Sequence, residues 1–431
     1  MKQSAAGIAG AALMSSVPSS VLGANDRIRV VVMGTNSRGM ALASEFATLK
    51  NSEVAYIADV DSRVVERSVA KVNEMQGKKP KGVVDFRQAL EDKDVDALVI
   101  AAPDHWHAPA TLMGLKAGKH VYVEKPCGHN PREGELLIAA QKKYNKVVQM
   151  GNQQRSSIQS QQAYRDLKDG LIGEPYMGKA FYANNRGPIG HGKVVPVPEW
   201  LDYELWQGPA PRVPYRDNVV HYNWHWFWRW GTAETCNNAT HEVDVCRWFL
   251  DLDYPTKVSS TGGRYAYDDD WEFPDTQVVG FEFGDKKSIV WEGRSCNPRP
   301  VEGKGRGAAI YATKGTLIID RNGHTFYDEK NNVLKQMESG DENATLDTTG
   351  AGGSLNGLHI GNFLDAIRTG AKQNSPIDEG HKSVLLCHLA NIAQELGRSL
   401  AIDPMNGRIV DDSQAMKMWS REYEPGWEMV V

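Results

Sequence analysis

Lys125 and His241 are the side chains of this sequence best suited to moving a proton between a substrate and the protein. Lys125 ends the apolar run HVYVEKP (120–126), at the carboxyl end of a predicted buried strand, where α/β sheets hold their ligands. His241 follows Asn237 by four residues in GTAETCNNATHEVD (231–244), a spacing that puts both on one face of a helix. Oxidising a secondary alcohol needs a hydride to leave carbon while the hydroxyl proton goes to a base. An imidazole titrates near neutrality and suits that base role, and an ammonium can hydrogen-bond the reacting hydroxyl or relay its proton. A positive charge beside Lys125 would lower its pKa. Asn237 is no base and is expected to position a hydroxyl, and Asp244 is placed either to orient the imidazole or to stand as a surface carboxylate. The blander alternatives are a Lys125–Glu124 pair and a core or cap role for His241.

A hydride needs an acceptor, and Gly34-Thr-Asn-Ser-Arg-Gly39 suggests one. The segment follows the β-branched run IRVVVMG (28–34) and opens a helix, keeping the outer glycines of a dinucleotide turn with Asn36 in the middle. Gly34 permits the tight turn, while backbone N–H groups around Asn36, Ser37, Arg38 and Gly39 can hold a pyrophosphate. Asp59, twenty residues past Gly39, can accept from an adenosine ribose and would repel a 2′-phosphate. This favours NAD, with NADP kept open by Arg63. Just before the His241 segment stand Trp224, Trp226, Phe227, Trp228 and Trp230, interleaved with His225 and Arg229. Indoles stack on pyranose faces, so Trp228, Arg229 and His225 are expected at a carbohydrate, with Arg155 as a further ligand. Core packing is the competing use for the aromatics. His105, His107 and His120 lie near each other, with the first two expected on opposite sides of an extended or turning segment, and no metal is expected.

The elements that must position these residues read as two halves. Strands at 28–34, 54–60, 97–103, 120–126 and 146–151, with a short extended patch near Val83 and Val84, alternate with helices near 39–50, through the sixties and early seventies, near 87–91, over 107–118 and over 131–144, the succession of a doubly wound parallel sheet. Beyond a Pro- and Trp-rich span (187–230) and a helix at 234–250, strand-like runs at 257–262, 275–283, 286–294, 307–319 and 324–336 follow without helices between them. That predicts an α+β domain with a largely antiparallel sheet over 152–431, after a dinucleotide-binding domain over 27–151. A glycine-rich loop is expected at 349–357 and helical periodicity returns over 358–398. Residues 1–24 read as a signal-like leader, with one lysine and no twin-arginine pair. The net charge of −5 offers no basic face for nucleic acid, and five cysteines without C-x-x-C spacing suggest neither a disulfide framework nor zinc. No apolar run is long enough to span a bilayer.

Pro103-Asp-His-Trp-His107 followed by Glu124-Lys-Pro126 resembles the Gfo/Idh/MocA oxidoreductases, and the likeness extends over nearly the whole chain after Arg27, including QMGNQ (149–153). More narrowly the chain is similar to the exported bacterial branch with an Asn-Asn-x-x-His signature. The resemblance implies a Rossmann domain joined to an open-faced antiparallel sheet, and a homodimer or homotetramer. It implies that Pro103, His107 and Glu124 help cradle a nicotinamide, and that Lys125 and His241 form the catalytic pair. Many relatives carry Asp where this chain has Asn237, which puts any Asp–His relay in doubt. The implied activity is hydride transfer between a sugar, glycoside or polyol hydroxyl and a tightly held NAD. Periplasmic export in folded form would require the cofactor to be regenerated in place, and a cytoplasmic location is the alternative. An NAD-dependent glycosidase is the rival, although the intact Glu124-Lys-Pro126 favours a dehydrogenase. A non-catalytic sugar or cofactor sensor is the third reading.

Overall fold

The computed structural model describes residues 27–284, 286–338 and 353–431; the expected leader and residues 349–352 of the expected loop lie outside them, while 353–357, also expected in that loop, are the first residues of a helix. The first half comprises β1 (Ile28–Met33), α1 (Arg38–Thr48), β2 (Ser52–Ala58), α2 (Ser62–Gln76), β3 (Lys81–Val83), α3 (Arg87–Leu90), β4 (Ala97–Ile100), α4 (Asp104–Lys116), β5 (His120–Val123), α5 (Pro131–Tyr144) and β6 (Val148–Met150). Its strands form a parallel sheet in the order β3-β2-β1-β4-β5-β6. Helices cover both faces, so Val30, Val31 and Val32 are wholly buried and the strand needs no polar alternation. Strand order reverses between β1 and β4, opening the crevice at which doubly wound sheets bind ligands.

The second half comprises α6 (Ile158–Lys168), β7 (Pro175–Ala183), α7 (Tyr203–Gln207), α8 (Thr240–Leu250), β8 (Lys257–Gly263), β9 (Thr276–Phe283), β10 (Lys287–Arg294), β11 (Arg306–Ala312), β12 (Gly315–Ile319), β13 (Gly323–Asp328), β14 (Val333–Glu338), α9 (Gly353–Thr369), α10 (Ile377–Leu396), β15 (Leu400–Ala401) and α11 (Ser413–Met416). A nine-stranded sheet runs β14-β13-β12-β11-β7-β10-β9-β8-β15, antiparallel except where β7 lies parallel to β10. Its buried face, including Val279, Phe281, Ile289 and Trp291, packs on Val243, Cys246 and Phe249 of α8 and on Leu386 and Leu389 of α10.

Several expected boundaries move. The runs 307–319 and 324–336 are each a hairpin of two strands, because Thr313–Lys314 and the 329–332 segment turn the chain. The strand expected to reach residue 103 stops at Ile100, and α4 starts at Asp104, so His105 and His107 are helical rather than extended. The helix expected over 234–250 is present, but its first turn, Thr235–Ala239, is π-wound. The C-terminal helices return to the first domain: Ile360, Phe363 and Leu364 of α9 join the core around Phe46 and Tyr122. Arg421 pairs with Glu133 at 2.8 Å, and Trp427 packs edge-on against Trp106.

Candidate active site

Both sheets contribute to one cavity of about 500 Å³, lined on the first domain by Gly34, Asn36, Ser37, Arg38, Asp59, Pro103, His107, Glu124 and Lys125 and on the second by Asn237 and His241. The glycine turn is a close-packed cradle. Gly34 has φ +79°, and a Cβ there would sit 2.7 Å from the Ala102 nitrogen; one on Gly39 would sit 1.8 Å from the Gly34 carbonyl oxygen. Gly39 therefore lets α1 approach the strand end and does not itself line the cavity. Beyond the turn, α1 offers its N-terminal amides with no acidic residue in its first turn, which suits a pyrophosphate.

Asp59 is buried at the rim, accepting from the backbone amides of Thr35 (2.6 Å) and Asp61 (3.0 Å). Burial pushes its carboxyl pKa up against those hydrogen bonds. Hydroxyl donors from a ribose would complete its coordination. Arg63 grips Asp61 at 2.7 Å and lies 3.6 Å from the centre of the Trp200 ring. Burial works to raise the Asp61 carboxyl, but Arg63 and His221 hold it down to about 2.

His107 bridges the two loops that frame the crevice, its ring nitrogens 2.5 Å from the Pro126 carbonyl and 2.7 Å from that of Ala102. Glu124 does not pair with Lys125. It accepts from Arg38 (2.9 Å) and Gln153 (3.0 Å), while Lys125 Nζ reaches across the domains to donate to Asn237 O (2.7 Å) and Oδ1 (2.9 Å). Burial lowers the Lys125 pKa, with Glu124 and Asp104 acting against it. His241 lies in the first turn of α8, 4% exposed. Burial, followed by the charges of Arg321, Lys125 and Arg306, brings its pKa well below the ordinary histidine value. A neutral imidazole can accept a proton, and these surroundings reduce its affinity for one.

Three of the expected sugar ligands are elsewhere. Arg155 is buried in a bidentate pair with Asp244 (2.8 and 2.9 Å), and Asp244 also accepts from Ser383, so neither touches a substrate or orients His241. Trp228 packs 4.1 Å from Phe273 between ring centres, and Arg229 is exposed, donating to the Pro211 carbonyl. Of that cluster Trp224 and His225 do line the cavity, their rings stacked 3.6 Å apart. Burial takes the His225 pKa down to about 3.

Other lining residues were not singled out from the sequence. Tyr182, Asn184 and Arg186 are spaced by two at the end of β7 and share one face, a pattern legible only once that strand is placed over the crevice. Arg186 pairs with Glu234 (2.7 Å) and donates to Tyr222 Oη; Arg306 pairs with Glu242 (2.8 and 3.1 Å). Asp104, buried at the start of α4, accepts from Thr232, and burial raises its pKa. Among the described residues no group of histidine, cysteine or acidic side chains is arranged to hold a metal, and no helix is long and apolar enough to cross a membrane.

Residues 28–152 match the family described as "Oxidoreductase family, NAD-binding Rossmann fold", and residues 185–318 match its "C-terminal alpha/beta domain". Among solved structures, levoglucosan dehydrogenase in complex with NADH and levoglucosan superposes with a TM-score of 0.66 at 15% identity, covering 87% of this chain and 99% of that one. Aldose-aldose oxidoreductase from Caulobacter crescentus gives 0.65 at 16%, covering 87% and 100%. The WlbA dehydrogenase from Bordetella pertussis, with NADH and UDP-GlcNAcA, gives 0.65 at 16%, covering 88% and 99%. Curated relatives include an alpha-N-acetylgalactosaminidase from Shewanella oneidensis, 28% identical over 36% of this chain and 35% of its own length. A glycosyl hydrolase family 109 protein from Saccharopolyspora erythraea is 28% identical over 41% and 39%. This chain thus spans well under half the length of either relative. With both domains matched in order and the dinucleotide crevice intact, the chain belongs to the Gfo/Idh/MocA oxidoreductase family and carries that family's NAD-binding Rossmann fold.

Proposed function

We propose that the protein transfers a hydride between a ring hydroxyl of a sugar, glycoside or polyol and a tightly held NAD, with Lys125 and His241 as the catalytic pair. The observation that carries this reading is a single cavity that joins the glycine turn, Asp59 and the Lys125 ammonium of the first domain to the His241 imidazole of the second. A bound nicotinamide supplies the hydride acceptor. Lys125, fixed by two oxygens of Asn237, polarises the substrate oxygen, and His241 receives the hydroxyl proton. The cations around His241 lower its affinity for that proton. His225 and Trp224 offer a flat stacked surface at the same end of the cavity, suited to a sugar face. The superposable sugar dehydrogenases support a carbohydrate substrate.

The test is to incubate purified protein with panels of neutral and charged sugars and follow the absorbance of its bound nicotinamide. Reduction by at least one carbohydrate is expected; silence across the panel removes the proposal. A glycosidase working by oxidation, elimination and reduction is favoured by one observation, the glycosidase names of the curated relatives. Solvent deuterium incorporated at C2 or C3 during aglycone release distinguishes it, since displacement by paired carboxylates incorporates none. In this reading residues 27–151 form the cofactor domain and 152–431 the substrate and oligomerisation domain of a periplasmic homo-oligomer.

A further inference from the structure

The adenosine half of the crevice is flanked by residues from outside the first domain. Leu205, Trp206, His221 and Trp224, all from the 187–230 span between β7 and α8, line the same cavity as Asp59 and Phe86. That span has a core of its own, in which Leu201, Tyr203, Trp206, Tyr215 and Trp224 are buried together, so it stands at the crevice as a packed body rather than a loose loop. It is fastened to the first domain at two places. At the start of α4 the Trp206 carbonyl accepts from Trp106 Nε1 (3.0 Å) and lies 2.9 Å from His105 Nε2. At the loop after β2, the Ser62 amide donates to the Trp200 carbonyl and the Asp202 amide to that of Val60, each at 3.0 Å.

Asp61 stands at this second junction, wholly buried. Its Oδ2 accepts both from Arg63 Nη2 (2.7 Å) and from His221 Nε2 (2.9 Å), and the Arg63 guanidinium in turn lies against the Trp200 ring. Its backbone amide donates to Oδ1 of Asp59 (3.0 Å), the carboxylate placed to accept from a ribose. One residue thereby connects the ribose acceptor to two points of the flanking span. We infer that Asp61 is a positioning residue for the cofactor, which aims Asp59 and clamps the 187–230 span over the adenosine, and so sets how slowly NAD leaves. This rests on the NAD-dependent reading above and names what retains the cofactor. A dinucleotide seated beneath the span leaves by parting it from the first domain, which breaks the charge-assisted hydrogen bonds of Asp61 and the cation–π contact at Trp200.

The test uses the whole protein with its bound NAD, mixed with an excess of radiolabelled NAD, and follows the label that stays with the protein through gel filtration. Asp61→Asn keeps the size of the side chain and removes its charge; it should exchange NAD at least tenfold faster than the parent. Trp200→Ala, which leaves Asp59 and Asp61 in place, should exchange at least threefold faster, and it carries the test by itself should Asp61→Asn fail to fold. Arg155→Met, destabilised at a buried pair away from the crevice, should exchange at the parent rate. Equal exchange by the parent and the folded crevice variants overturns the inference, and so does acceleration in Arg155→Met equal to theirs, which would make the effect one of general stability. A parent protein that neither carries NAD nor takes up the label overturns the underlying reading instead.

Discussion

Replacing Lys125 with methionine keeps much of the side chain's bulk and removes the ammonium that Asn237 fixes. Reduction of bound nicotinamide by substrate should slow by a factor of roughly 10²–10⁴, the usual worth of a positioned proton-transfer group, while the cofactor released on denaturation stays stoichiometric. Unchanged turnover would remove the mechanism and favour a sensor. Arg155 is the contrasting case, an arginine whose work is structural. In Arg155→Met the buried Asp244 loses its bidentate partner and keeps only Ser383 and Arg247 at 4.0 Å, so stability to urea should fall by up to about 3 kcal/mol, with little change in the substrate concentration that half-reduces the folded enzyme. A large shift in that concentration would return Arg155 to the substrate site. The types of both residues are plain in the sequence, but which arginine meets a sugar depends on which carboxylate reaches it first.

At the scale of elements, the glycine turn is the part most sharply constrained. A methyl group on Gly39 would overlap the Gly34 carbonyl, and both atoms belong to backbone that cannot swing away. Gly39→Ala should therefore push α1 off the end of β1, cost about 1–3 kcal/mol, and yield protein purified with less than stoichiometric NAD; full cofactor content would show that the turn tolerates the shift. The strands around this turn were legible because parallel strands covered on both faces are continuous apolar runs. The two strands within each of 307–319 and 324–336 were not separated, because the turns at Thr313-Lys314 and 329–332 are short and the flanking residues keep a strand-like pattern through them. The helical start at Asp104 was also hidden, since Pro103 is compatible with either a continuing strand or the residue before a helix.

For the whole molecule, buried histidines set a pH limit. Burial takes His105 and His388 down to about 3, and His120, His359 and His381 down to about 4. Each binds a proton in the unfolded chain near its ordinary value of 6.5 but stays neutral in the fold. Between pH 6.5 and about 4 the unfolded state therefore holds more protons, and stability rises with pH across that window. The contribution is complete above pH 6.5 and lost progressively below it. The urea midpoint should fall steeply from pH 6.5 to 4 and stay nearly flat from 7 to 8; a flat profile through the acid window would mean those histidines are already protonated in the fold.

By itself the sequence determined the two-domain architecture, the dinucleotide turn with Asp59, and the identities of Lys125, Asn237 and His241, because periodicity and turn chemistry are local and short motifs carry their own geometry. The tertiary structure alone decided that Lys125 is held by Asn237 rather than Glu124, that Arg155, Trp228 and Arg229 stand away from the cavity, and that Tyr182, Arg186 and Arg306 line it. It also surrounded the imidazole of His241 with cations that lower its pKa. Those outcomes depend on which charges and faces meet between segments far apart in the chain, and a side chain's partner and proton affinity follow from that meeting rather than from its neighbours in sequence.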